Sequence, residues 1–297
     1  METSFIVVGH VDTGKSTLCG HLLKICGAVE NWDHHVKMTE DIPLQLYSSV
    51  LDIYDEERER GKTNQYDVRD FTYKSKDLRL IDTPGHKQFI RSMIEGVSLN
   101  KAKVAVLVVS AKDREFGASM KGGQTIEDVI ICKSQNVEKL IVAINKMDTC
   151  NWDAEKSNKI QKRLDKVFKI LKFDNVVYVE CSGYGGQGLD RILDEIVTFV
   201  PAPAISEQAC TKIGGVFLSL SKTLICSGFM CIAHIDGKEY HVELIVTGKQ
   251  KYARADGDKL RVSVTFPVEV MMHRGKGILI RSGNITCGII ATDTCES

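Results

Sequence analysis

The nine residues GHVDTGKST (9–17) constrain this chain more than any others, because they follow the β-branched run SFIVV (4–8) and open into a segment with Leu18, Leu22 and Leu23 at helical spacing. Glycines at 9 and 14 let backbone N–H groups close around an anion, and the N-terminus of the following helix adds its dipole. The pattern G-x-x-x-x-G-K-[ST] is that of a phosphate-binding loop, which commits its flanks to a strand and a helix of an α/β sheet. Gly9, His10, Val11, Asp12, Thr13, Gly14, Lys15, Ser16 and Thr17 are therefore candidate nucleotide-binding residues. Lys15 is expected to reach the β- and γ-phosphates, and the Ser16 hydroxyl to ligate Mg²⁺. The loop alone is compatible with ATP.

The surrounding pattern agrees. LRLI (78–81), VAVLVV (104–109), KLIVAI (139–144) and VVYVE (176–180) read, with SFIVV, as strands buried on both faces and separated by amphipathic segments. That is a doubly wound, mostly parallel sheet. In KSNKIQKRLDKVFKIL (156–171), Ile160, Leu164, Val167 and Leu171 fall on one face, opposite a basic face that reads as solvated surface. The prolines of FVPAPA (199–204) end the last helix and mark a boundary, giving domains of residues 1–202 and 203–297. From about 213 onward short alternating runs separated by DGK, ADGDK, HRGKG and RSGN predict one small antiparallel β-barrel.

Composition narrows the classes. Basic and acidic residues balance at 39 each, so no global charge excess marks a nucleic-acid binder. Ten scattered cysteines with no C-x-x-C pair, and no signal peptide, read as reduced thiols of a cytoplasmic protein. The longest apolar stretch, VAVLVVSA (104–111), is far short of the roughly 20 residues that span a bilayer, so no membrane partner is expected.

Base choice lies further along. KLIVAI delivers NKMD (145–148), where the Asp148 carboxylate can accept both N1–H and the 2-amino group of guanine, a donor pair that adenine lacks. Asn145 then braces the loop and the Lys146 stem covers the base plane, while a backbone N–H of Cys181, Ser182 or Gly183 can meet the guanine O6. DTPGH (82–86) also follows a strand: Asp82 can hold Mg²⁺ through water, the Gly85 N–H can sense the γ-phosphate, and His86 sits where an attacking water needs orienting.

Four stretches, GHVDTGKST, LDIYDEERERGKT (51–63), LIDTPGHKQFIRSMIEGVS (80–98) and EFGASMKGGQT leading to LIVAINKMD, resemble the elongation factor Tu and elongation factor one-alpha family of translational GTPases. The likeness is to its eukaryotic and archaeal branch, with release factor three and the ribosome-rescue factors. The resemblance implies a first switch at ERERGKT, with Thr63 ligating Mg²⁺ when the γ-phosphate is present. It implies His86 as the residue that positions the hydrolytic water and Asp12 as a helper that can recruit a monovalent cation. Val11 becomes one side of an apolar gate in front of His86, with Lys62 standing where the family has isoleucine. It also implies two barrels where this chain has room for one, and residues 211–290 resemble the last of them.

The expected function is GTP binding and hydrolysis to GDP and phosphate, with Lys15, Thr63, Gly85, Asp12 and His86 as the catalytic set. The expected partners are the ribosome and a release-factor-like or rescue-factor-like, tRNA-shaped protein; aminoacyl-tRNA delivery is not expected. The alternatives are a GTPase subunit of a sulfate-adenylating system and a non-catalytic GTP-dependent adaptor.

Overall fold

Runs of Val, Ile and Leu with no polar face can hide their backbone and side chains together only as inner strands covered on both sides. In the computed structural model, which describes residues 2–51, 66–83, 90–121, 124–171, 173–203, 205–254 and 257–296, they do so. The first elements are β1 (Thr3–Val8), α1 (Lys15–Ile25), α2 (Trp32–Met38), β2 (Asp67–Tyr73), β3 (Lys76–Asp82) and α3 (Ile90–Leu99). They are followed by β4 (Val104–Ser110), α4 (Asp113–Lys121), α5 (Gln124–Ser134), β5 (Lys139–Asn145), α6 (Ala154–Leu171), β6 (Val176–Glu180) and α7 (Leu189–Val197). The strands form one six-stranded sheet in the order β2-β3-β1-β4-β5-β6, parallel except for β2.

Phe5 and Val7 of β1, Val106 and Val108 of β4 and Ile141 of β5 pack with Leu18 and Leu22 of α1 and with Ile192 and Ile196 of α7. Ile6, Leu107 and Val142, one residue out of step and so on the opposite face, are equally buried. The central strands thus match the reading from sequence, and the edges depart from it. β2 is missing from the expected strands because only Phe71 of its residues is buried. In β6 only Val179 is buried, so the expectation of burial on both faces fails at this edge strand. On α6 the buried stripe runs Ser157, Ile160, Leu164, Phe168 and Leu171, with Phe168 taking the place expected for Val167. A 3.6-residue period tolerates either position, and the larger ring goes inside. Lys159, Lys162, Arg163 and Lys166 are exposed on this helix.

The chain divides into two compact units, Met1–Val129 with Val137–Pro201, and Ile130–Asn136 with Ala202–Ser297. The second holds a closed six-stranded antiparallel barrel. Its strands are β7 (Gln208–Ser219), β9 (Phe229–Ile235), β10 (Lys238–Val246), β12 (Lys259–Met272), β13 (Gly277–Ser282) and β14 (Ile285–Glu296), closing in the order β10-β12-β7-β14-β13-β9. The short β8 (Ile225–Cys226) and β11 (Tyr252–Ala253) pair separately. The first barrel strand begins at Gln208, earlier than the expected 213. Alternation fills the interior, as in β12, where Leu260, Val262, Val264 and Phe266 are buried between exposed or half-buried neighbours. Asp236 and Gly237, both at positive φ (49° and 76°), form the two-residue turn between β9 and β10 that the D-G pair favours.

No disulfide joins any of the ten cysteines. Among the described residues no helix is long and apolar enough to cross a membrane.

One charged side chain is integral to the barrel. Lys276 is 2 % exposed, and its Nζ donates to Glu207 Oε1 and Asp236 Oδ2 at 2.8 Å and to the Met271 carbonyl at 2.9 Å. Removing a buried cation leaves its partners uncompensated, although here both carboxylates retain water contact. Lys276→Ala is expected to lower stability by about 2–3 kcal/mol in denaturant unfolding; a loss within about 0.5 kcal/mol would show that the three contacts contribute nothing net.

Candidate functional site

The turn from β1 to α1 is shaped by close approach. A Cβ on Gly9 would stand 2.4 Å from the Val108 carbonyl oxygen, and Gly14, at φ +89°, would place one 2.6 Å from Asn145 Nδ2. Inside the loop the His10 carbonyl gathers the Thr13 Oγ1 at 2.8 Å and the Lys15 Nζ at 3.0 Å. Lys15 is thereby folded back over the loop at the start of α1. Ser16 and Thr17 follow half-buried, Val11 is half-buried, and Asp12 is exposed at φ +61°.

Behind the loop lies Asp82 at the end of β3, fully buried. Its Oδ2 accepts from Ser16 Oγ at 3.4 Å and its Oδ1 from Cys19 Sγ at 3.7 Å. Burial pushes the Asp82 carboxyl up to about 6, against the pull of Lys15, with Asp67 adding to the rise. Burial also lowers Lys15 below the ordinary amine range, opposed by Asp82, Asp128, Cys19 and Asp12. A hydroxyl beside a buried carboxylate that is short of positive charge is a hard oxygen donor pair. It fits Mg²⁺, which takes one or two protein ligands and completes its shell with phosphate oxygens and water. Lys62, Thr63, Gly85 and His86 lie outside the described residues.

The third part comes from the C-terminal end of β5, two strands from β1. Asn145, the last residue of β5 and 2 % exposed, donates from Nδ2 to the Thr13 carbonyl at 2.8 Å and accepts the Gly183 N–H on Oδ1 at 2.7 Å. One amide thus joins the phosphate loop to the segment after β6. Lys146 Nζ donates to the Asp12 carbonyl at 2.5 Å and pairs with Glu115 at 2.8 Å. Met147 is buried, with its N–H on the Cys181 carbonyl at 3.2 Å, and Asp148 next to it is exposed.

The loop after β6 is anchored through its backbone. The N–H groups of Cys181, Ser182 and Gly183 are already given to the Ile144 carbonyl, the Gln187 carbonyl and Asn145 Oδ1. All three thus have acceptors within the protein.

Sequence reasoning passed over several supporting residues. Gln124 Oε1 lies 2.7 Å from His10 Nδ1, and Thr83 Oγ1 donates to the Val7 carbonyl at 2.7 Å. Glu115 and Gln124 fall within EFGASMKGGQT, a stretch that carried family likeness without an assigned task. Their partners stand 31 and 114 residues away, which no local pattern encodes.

Residues 2–202 match the family of the elongation factor Tu GTP binding domain. Elongation factor 1-alpha of Thermofilum pendens is 37% identical over 213 residues, 69% of this chain and 48% of that protein. The protein HBS1 of Drosophila melanogaster is 40% identical over 197 residues, 64% of this chain and 29% of its own length. The eukaryotic peptide chain release factor GTP-binding subunit of Zygosaccharomyces rouxii is 38% identical over 201 residues, 64% of this chain and 30% of that protein. The chain thus spans about half or less of the length of these curated relatives. In fold it resembles the S. cerevisiae Ski7 GTPase-like domain, crystallised bound to GTP, with a TM-score of 0.78 at 14% identity over 98% of this chain and 97% of that one.

Truncating the shared amide tests the frame of the site. Asn145→Ala strands the Thr13 carbonyl and the Gly183 N–H in the interior, and is expected to cost about 2–4 kcal/mol in denaturant unfolding. A loss below about 1 kcal/mol would mean that the two loops hold their places without it.

Proposed function

The chain belongs to the family of translational GTPases built on the elongation factor Tu GTP-binding domain, and from that premise we propose that it binds GTP and hydrolyses it to GDP and phosphate. The observation that carries the reading is Asn145: residues 13, 145 and 183, far apart in sequence, meet on one side chain. That brings the phosphate loop and NKMD within reach of a single nucleotide.

In this reading Lys15 leaves the His10 carbonyl for the β- and γ-phosphates, and the loop N–H groups from Gly9 to Thr17 surround them. Ser16 would hold Mg²⁺ directly and Asp82 through water, with Thr63 joining them in the GTP state, and the ion would supply charge neutralisation at the phosphate oxygens. Asp148 reads N1–H and the 2-amino group of guanine, and the Lys146 stem, braced at Asp12 and Glu115, covers the base. Gly85 senses the γ-phosphate and His86 orients the water. Asp12 is the residue placed to recruit a monovalent cation, and Lys62 stands at the gate in place of isoleucine.

We place the site in a domain of residues 1–202 and read residues 203–297 as the counterpart of the family's last barrel. Similarity to a eukaryotic peptide chain release factor GTP-binding subunit supports work on the ribosome with a release-factor-like or rescue-factor-like protein. Aminoacyl-tRNA delivery is not part of this reading, and the cytoplasm is where it would operate.

Phosphate release from GTP, measured with and without purified ribosomes, tests the proposal; no turnover in either condition would overturn the hydrolysis step. His86→Ala is expected to keep GTP affinity while lowering stimulated turnover roughly 10²-fold, because water positioning acts on the transition state. Parallel loss of binding and turnover would assign His86 to structure. Asp148→Asn is expected to shift preference from GTP to xanthosine triphosphate, since an amide can donate to the carbonyl that replaces the 2-amino group. Unchanged selectivity in competition binding would remove Asp148 from base recognition.

A further inference from the structure

The aromatic residues between α1 and β2 take no part in the reading above, yet they converge on the base loop. Tyr47 lies face to face with His21, ring centroids 3.9 Å apart and planes 6° from parallel. Tyr47 and Tyr184 stand nearly perpendicular, centroids 6.0 Å apart at 82°, and Trp32 approaches at 5.6 Å. Gly20 permits this packing, because a Cβ there would stand 1.8 Å from the Tyr47 carbonyl oxygen. With one face covered by Tyr47, the His21 ring has its Nδ1 2.8 Å from the Gly183 carbonyl oxygen. A carbonyl only accepts, so Nδ1 carries the proton. Burial holds His21 below the ordinary imidazole range, with the Gly183 carbonyl opposing, which favours the neutral ring.

The peptide that His21 grips is a particular one. Around it the N–H groups of Cys181, Ser182, Gly183, Gly185 and Gly186 all have acceptors. The Tyr184 N–H has none among the described residues. It shares a peptide unit with the Gly183 carbonyl, and in a trans peptide the two groups point in opposite directions. Fixing the carbonyl on His21 therefore aims the Tyr184 N–H away from that ring. Glycine at 183 lets this peptide turn easily, so its orientation must be imposed from outside. Asn145 holds the N–H on one side of Gly183 and His21 the carbonyl on the other.

We propose that His21, seated on Tyr47, is a positioning residue for base recognition: it orients the Gly183–Tyr184 peptide so that the Tyr184 N–H meets the 6-oxo group of guanine. The same donor would face the 6-amino group of adenine donor to donor, which turns one peptide orientation into discrimination between the bases. The inference rests on the guanine-nucleotide reading above.

The test is equilibrium binding of GDP and of 2-aminopurine riboside 5′-diphosphate, which lacks the 6-oxo group, to the wild-type chain and three variants. His21→Phe keeps a ring on Tyr47 but has no donor. His21→Asn returns a donor near the Nδ1 position without the ring. Tyr47→Leu removes the platform. GDP affinity is expected to fall roughly tenfold in His21→Phe, the worth of one neutral hydrogen bond, with less than about a twofold change for the analogue. His21→Asn should recover most of that loss, and Tyr47→Leu should fall between His21→Phe and wild type. Equal losses for both ligands, or no loss of GDP affinity in His21→Phe, would overturn the inference while leaving GTP binding in place. Wild-type protein that binds neither ligand would instead sink the guanine-nucleotide reading, and this one with it.

Discussion

A buried primary amide that gives its hydrogen to one loop and takes a hydrogen from another fixes both loops in position at once. Asn145 does this between Thr13 and Gly183, at the C-terminal end of a strand whose residues are all buried. The rigidity of the strand passes to the amide and from the amide to two segments that have little regular structure of their own. Gly14 has no room for a side chain because that amide stands beside it, so the fold of the phosphate loop and the identity of residue 145 depend on one another. Low local dielectric strengthens such a connection, and makes it costly to leave half made.

The charges follow from the same burial. Lys15 and Asp82 share a pocket that penalises each ion singly, and burial shifts each of them toward its neutral form. Such a pocket is prepared for a ligand that brings both signs, a polyphosphate with its cation. Surface ion pairs such as Arg79 with Asp70 carry no comparable demand.

What could be read from sequence was whatever chemistry or periodicity forces into a fixed spacing. GHVDTGKST, NKMD and DTPGH each follow an apolar strand, and the runs of β4 and β5 were unmistakable because every residue in them is buried. The D-G turn at 236–237 was equally plain. β2 escaped because a polar edge strand leaves no alternation, and Phe168 displaced Val167 because helical phase is ambiguous by one residue while volume is not. The internal partners of the 181–183 loop, residues 144, 145 and 187, were not legible because folding alone brings them near. His21, Glu115 and Gln124 were passed over for the same reason: their importance lies in a partner brought near by folding alone.

The barrel's closing order has a consequence for how the chain is made. β7 lies between β12 and β14, pairing with the latter from Gly288–Ser219 to Glu296–Lys212. During vectorial synthesis one edge of β7 therefore stays bare until β14 emerges, while the sheet of the first unit needs nothing beyond β6. Long-range pairing of this kind is slow, and an unpaired edge is a template for other chains. Until β14 has been made, the nascent chain would carry a first unit whose sheet is complete and a second whose barrel is still open.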